Sequence, residues 1–285
     1  MKLDESLAVK GNAFNLQRSK ITAIMTLILS VLTLFVALMS VLDESIYKDV
    51  LSVGTITKTL LVSSKAQDII FIPLAILLAF LSVVFLKRPG YKIFITMLGL
   101  TGSFFYGYGL YTMQGQYTKL YIIYLVIFGL SIYSMVFGLL CFTPEFTVKT
   151  SLPKALRIGI SIFLYSIVSM LGMVWILRIL PDLARNIASE TYAVFVLDLG
   201  IVFPAIAIIA TKLIRKKPYG NIFAGVALVK TFTVCLSWGF AEWYSRFSGS
   251  VQGGYDMLFI PSILTIISLA FFLLYISKLK YQVNH

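Results

Sequence analysis

The stretch Val196–Lys230, VLDLGIVFPAIAIIATKLIRKKPYGNIFAGVALVK, decides the fold. It reads as a membrane-crossing helix carrying Asp198 and Pro204, a basic turn (Arg215, Lys216, Lys217, Pro218, Tyr219, Gly220), and a returning helix with Lys230 in its interior. Gln67–Thr101 repeats the plan: Asp68, Pro73, a turn of Lys87, Arg88, Pro89, Gly90 and Tyr91, then another apolar run. Arg88, Pro89, Ile93 and Phe94 align with Lys217, Pro218, Ile222 and Phe223 at one constant spacing, and the two aspartates align one residue further apart. A doubled hairpin of this kind marks an internal repeat.

Composition sets the environment. The 285 residues are 59% apolar and 13% charged, with a mean hydropathy of +0.92, far beyond a soluble domain. Crossing about 30 Å of hydrocarbon takes about 20 residues of helix. Eight apolar stretches qualify, near 21–42, 69–86, 93–111, 120–142, 158–180, 192–212, 222–240 and 257–277. The expected fold is an all-α membrane protein with eight transmembrane helices arranged as two parallel four-helix repeats.

The formal charge of +12 would point to nucleic acid in a soluble chain, so its placement matters. Most of the 24 lysines and arginines fall in the two termini and the even-numbered turns, at 2–20, 87–92, 149–157, 212–217 and 278–280. The positive-inside rule accounts for that distribution with both termini cytoplasmic, in the plasma (inner) membrane. Membrane lipids are then the partners of the basic turns, and nucleic acid is not expected. The first apolar run is also longer than a signal-peptide core, which makes it an uncleaved anchor.

The chain divides as a cytoplasmic tail (1–20), a first half (21–142), a cytoplasmic linker with Pro144 and Pro153 (143–157), a second half (158–277) and a cytoplasmic tail (278–285). Four spans per half force the same orientation on both, so the repeats are related by an axis along the membrane normal. Segment 43–67 is the longest external connection, read equally as a loop or as a short helix on the outer leaflet.

Ionisable residues inside a bilayer are costly and are the default functional candidates. Lys230 stands first, whether as a ligand group or as a lysine snorkelling back to the basic turn. By helical rise Asp198 lies roughly 12 Å above it, so a direct pair requires tilt or a water, and Arg178, near the depth of Asp198, is the expected salt-bridge partner. Asp68 reads as a solvated charge at a helix N-terminus. Pro73 and Pro204 are expected to kink their helices and open space between the halves. Gly99 and Gly102 mark a close helix contact. Tyr106, Tyr108 and the tyrosines that follow fit an interfacial belt, or more sharply an aromatic lip over a ligand site.

Cys141 and Cys235 lie at different depths, which disfavours a disulfide, and no metal-ligand spacing, phosphate loop or nucleophile elbow occurs. No cofactor is implied. A lysine on a seventh span is similar to retinal attachment in microbial rhodopsins, but the third span has no carboxylate and an eighth span is present. Asp198…Pro204, the turn Arg215–Gly220, Lys230 and the stretch Tyr106–Tyr124 resemble a family of prokaryotic multispan proteins of about eight helices that has no assigned activity. That resemblance implies a fold and no function. The leading expectation is binding or transport of a small amphiphilic or lipophilic ligand between the halves. The alternatives are an accessory subunit whose charges fix helix packing, and an intramembrane enzyme using tyrosine and aspartate.

Overall fold

Asn15 starts the first helix by accepting the Arg18 amide at 2.9 Å, and the chain stays helical for 27 residues, α1 (Leu16–Leu42). A computed structural model describes residues 14–53, 57–249 and 256–282. The further elements are α2 (Ser45–Val53), α3 (Lys58–Lys87), α4 (Tyr91–Met113), α5 (Tyr121–Leu139), α6 (Pro144–Val148), β1 (Thr150–Ser151), α7 (Lys154–Arg185), α8 (Tyr192–Leu197), a π-helical turn (Asp198–Val202), α9 (Phe203–Ile214), α10 (Gly220–Phe247), α11 (Asp256–Lys278) and β2 (Lys280–Tyr281). Eight of these helical units, with α8, the π turn and α9 counted as one, are long and apolar enough to cross a membrane.

Two helices form the centre. Of their most apolar windows, 78% is buried in α4 and 67% in α10, against 22–44% in the other six. Their contact is close because Gly99 brings the α4 backbone against Val229, and the Ser103 and Thr233 hydroxyls hydrogen-bond across the same seam. Small residues drive such contacts where lipid removes the apolar incentive. Around the seam, α1 packs on α3 and α5, α5 on α4, α7 on α9, and α11 on α10, where the Tyr275 ring lies over Gly225. The outward faces carry Ile24, Ile28, Phe35, Met173, Leu177 and Ile266, all exposed, as a lipid-facing surface requires.

One end of the bundle is stitched from distant segments. Phe14 bridges Phe142, β1 pairs antiparallel with β2, and the rings of Phe14, Phe94, Phe142, Phe146 and Tyr281 pack together as an aromatic floor. The linker 143–157 is therefore structured, carrying α6, β1 and the start of α7.

Several expectations are corrected. Residues 58–68 belong to α3 and not to a loop, so Asp68 sits about ten residues, or about 15 Å, inside its helix. It is completely buried, not solvated. Tyr106, Tyr108, Tyr111 and Tyr124 are also buried, whereas Tyr117 is the exposed one. Pro73 is accommodated inside an unbroken α3, but Pro204 lies two residues past the end of the π turn.

Candidate functional site

A cavity of about 400 Å³ lies between α3, α4, α7, the α8–α9 unit and α10. Its inner end is formed by Ser103, Ile206 and Lys230 at mid-helix, and its mouth by Thr59, Gln114, Gln116, Thr191 and Glu242 at the end opposite the aromatic floor. The Gly99–Val229 seam closes the path beyond Ser103.

The π turn aims the acidic group. A π turn holds one residue more than an α turn, and it leaves exposed Gly200 on the outside while Asp198 is buried. Pro204, which lacks an N–H to give back to that turn, makes the irregular ladder inexpensive there. The Asp198 carboxylate then accepts from Tyr106 Oη at 3.2 Å and from Trp175 Nε1 at 2.8 Å. Lys230 sits over the Tyr106 ring, Nζ 4.3 Å from its centroid, a contact worth about 2 kcal/mol when desolvated. Tyr106 therefore joins the two charges, its face to the ammonium and its hydroxyl to the carboxylate.

Lys230 and Asp198 form no ion pair with each other. Among the described residues the Lys230 ammonium has no hydrogen-bond acceptor, and it is directed toward Tyr106 and the cavity, not back to the basic turn. The expected Arg178–Asp198 salt bridge is replaced by an indirect link: Arg178 lies over the Trp175 ring at 5.5 Å, and Trp175 donates to Asp198. Helix rise alone placed Arg178 at the right depth, but the indole fills the space between. Gln67, Gln116, Thr231 and Ser237 also line the cavity, and their Nε2, Oε1, Oγ1 and Oγ atoms are buried with no hydrogen-bond partner among the described residues.

Asp198, Lys230, Arg178 and Tyr106 are thus brought together, and two other candidates are not. Asp68 is held in a separate closed cluster, accepting from Tyr47 of α2 at 2.5 Å and from Tyr111 at 3.0 Å. Tyr108 packs among Phe71, Tyr111 and Tyr124, away from the cavity wall. Sequence reasoning missed Trp175, Trp238, Gln67 and Gln116. Trp175 precedes Arg178 by one helical turn, and that spacing was the available signal.

Deleting Gly200 tests the role of the π turn. It would restore an α turn and rotate Asp198 by about 100° relative to α9. The expected result is a folded protein of unchanged helix content whose Trp175 fluorescence shifts as the Asp198 acceptor leaves. An unshifted spectrum would show that the π turn does not position Asp198.

Compared with protein-family models, with curated proteins and with solved structures, the chain matches none.

Proposed function

We propose that this chain is a polytopic membrane protein that binds a small amphiphilic molecule in the cavity between its two four-helix halves and moves it across, or within, the bilayer. The observation that carries the reading is Lys230, an ammonium at mid-membrane depth that faces a cavity and has no acceptor among the described residues. A lysine serving only to lock helices would be paired. The Asp68 cluster fits the packing role, since both its carboxylate oxygens accept from tyrosines.

The pseudo-repeat supports the architecture. In each half the first span packs on the second and the third on the fourth, and the two third spans, α4 and α10, cross at the centre. Ser103 meets Thr233 there, at nearly the repeat spacing, as residues beside a two-fold axis do. With the basic turns cytoplasmic, the cavity opens to the outer side. Small ligand sites are commonly of this size and lining.

The experiment is cysteine accessibility in intact cells. With Cys141 and Cys235 replaced by serine, Thr59→Cys at the mouth is expected to react with a membrane-impermeant maleimide added outside, and the adduct to block amphiphile uptake or binding. Reaction only after permeabilisation would invert the orientation. Reaction without any effect on binding would remove the cavity as the site.

A further inference from the structure

The polar groups of the cavity wall are unequal in kind. Lys230 brings three N–H donors and has no acceptor among the described residues. Thr231 and Ser237, 4% and 7% exposed, have hydroxyls without partners among the described residues, and the Gln67 Nε2 amide is in the same condition. Acceptors remain as well: Gln116 Oε1 out at the mouth, and Asp198 Oδ1, since both bonds to that carboxylate fall on Oδ2. The acidic side chains are engaged in part. Asp198 Oδ2 accepts from both Tyr106 and Trp175, while Glu242 takes Arg246 at 2.8 Å on one oxygen and the Trp238 indole at 3.4 Å on the other. At the inner end of the cavity, the Lys230 ammonium can only donate, and it has no acceptor among the described residues.

We infer that the occupant is a monoanionic amphiphile whose carboxylate head accepts from Lys230 and whose aromatic or aliphatic body lies against Phe71, Trp175 and Trp238. This rests on the cavity reading above and adds the sign and chemistry of the head group. A neutral head would leave the ammonium without a charged acceptor, and a cationic head would meet Lys230 as a like charge in a low-dielectric space. A carboxylate turns an unsatisfied buried ammonium into a charge-assisted pair. The aromatic lining supplies apolar contact area for the body.

Three probes with one body separate head-group charge from burial: 4-phenylbutyrate, 4-phenylbutanol and 4-phenylbutylamine, titrated at neutral pH into the full chain in nanodiscs of zwitterionic lipid. Trp175 and Trp238 line the cavity and report occupancy through their fluorescence. The wild-type protein is expected to bind phenylbutyrate roughly tenfold or more tightly than the other two, about the worth of one charge-assisted hydrogen bond. Lys230→Met and Lys230→Gln should abolish that preference, and Lys230→Arg should retain part of it. The wild-type order alone decides the matter should the uncharged variants fail to fold. Equal or better binding of the alcohol or amine, or a carboxylate preference that survives in Lys230→Met, would overturn the anionic assignment and leave the cavity reading standing. Absence of any fluorescence response to all three at millimolar concentration would overturn both.

Discussion

Gly99→Ala is expected to destabilise the protein by about 1–3 kcal/mol and to disrupt the cavity with it. A Cβ at that position would stand 2.4 Å from Val229 Cβ and 2.7 Å from its Cγ1, with the Val226 carbonyl oxygen at 3.1 Å. The Val229 Cβ is fixed to its backbone, so no rotamer change relieves the overlap. The α4–α10 crossing must widen. Widening it breaks the Ser103–Thr233 bond and opens the inner end of the cavity toward the aromatic floor. Gly102→Ala is the matched control, because its Cβ would meet Lys230 and Met135 at ordinary distances of 3.5–3.6 Å. Unfolding of both variants in mixed micelles, followed by circular dichroism, checks the contrast. Equal stability of Gly99→Ala and Gly102→Ala would mean that the seam does not define the centre of the bundle.

The second large effect is expected at Asp68. Asp68→Ala removes the acceptor for two buried tyrosine hydroxyls on different elements, Tyr47 on α2 and Tyr111 on α4. A hydrogen bond is worth about 1 kcal/mol net and a stranded buried donor costs about 1–3 kcal/mol, so a loss of roughly 3 kcal/mol is expected. Tyr111 retains the Ser64 carbonyl at 2.9 Å, which softens its share. Tyr47 holds α2 to α3 through its Asp68 bond, so α2 should loosen. Tyr47→Phe is expected to lose about half as much and to make the Ser45–Val53 segment the first site of limited proteolysis. A Tyr47→Phe loss equal to that of Asp68→Ala would assign the whole effect to α2 docking and none to Tyr111.

These residues also mark what was legible in the amino acids and what was not. The eight spans were readable because a bilayer demands length and apolarity, and both survive in one dimension. The Gly99 contact was readable because a small residue in an apolar run has few other reasons to be there. The start of α3 was missed. Lys58, Ser63, Lys65, Gln67 and Asp68 make its first turns polar, and hydropathy reports solvent preference without asking whether a neighbouring helix covers the segment. Asp68 was misjudged for the same reason, since Tyr47 covers it from across a connection and nothing local records that.

In the site, Lys230 and Asp198 stood out because charge in an apolar run is conspicuous. Their geometry did not. The π turn that aims Asp198 has no distinct composition beyond Gly200 and Pro204, and axial rise assumes a regular helix. The indole of Trp175 between Arg178 and Asp198 was invisible to a count of charges. Both failures come from side-chain volume and helix irregularity, which spacing along the chain does not encode.

The pairing of β1 with β2 bears on the order of events during synthesis. Tyr281 stacks on Phe146, and the Gln282 amide donates to the Lys149 carbonyl at 2.9 Å, so the segment between the fourth and fifth spans is completed by residues that leave the ribosome after the last span. Until then Phe146 lacks its stacking partner, and the early spans must wait in the bilayer with their base unfinished. Quality control that senses an unsealed base would therefore act on the whole chain at once, and a lesion near residue 280 would be felt in helices made long before it.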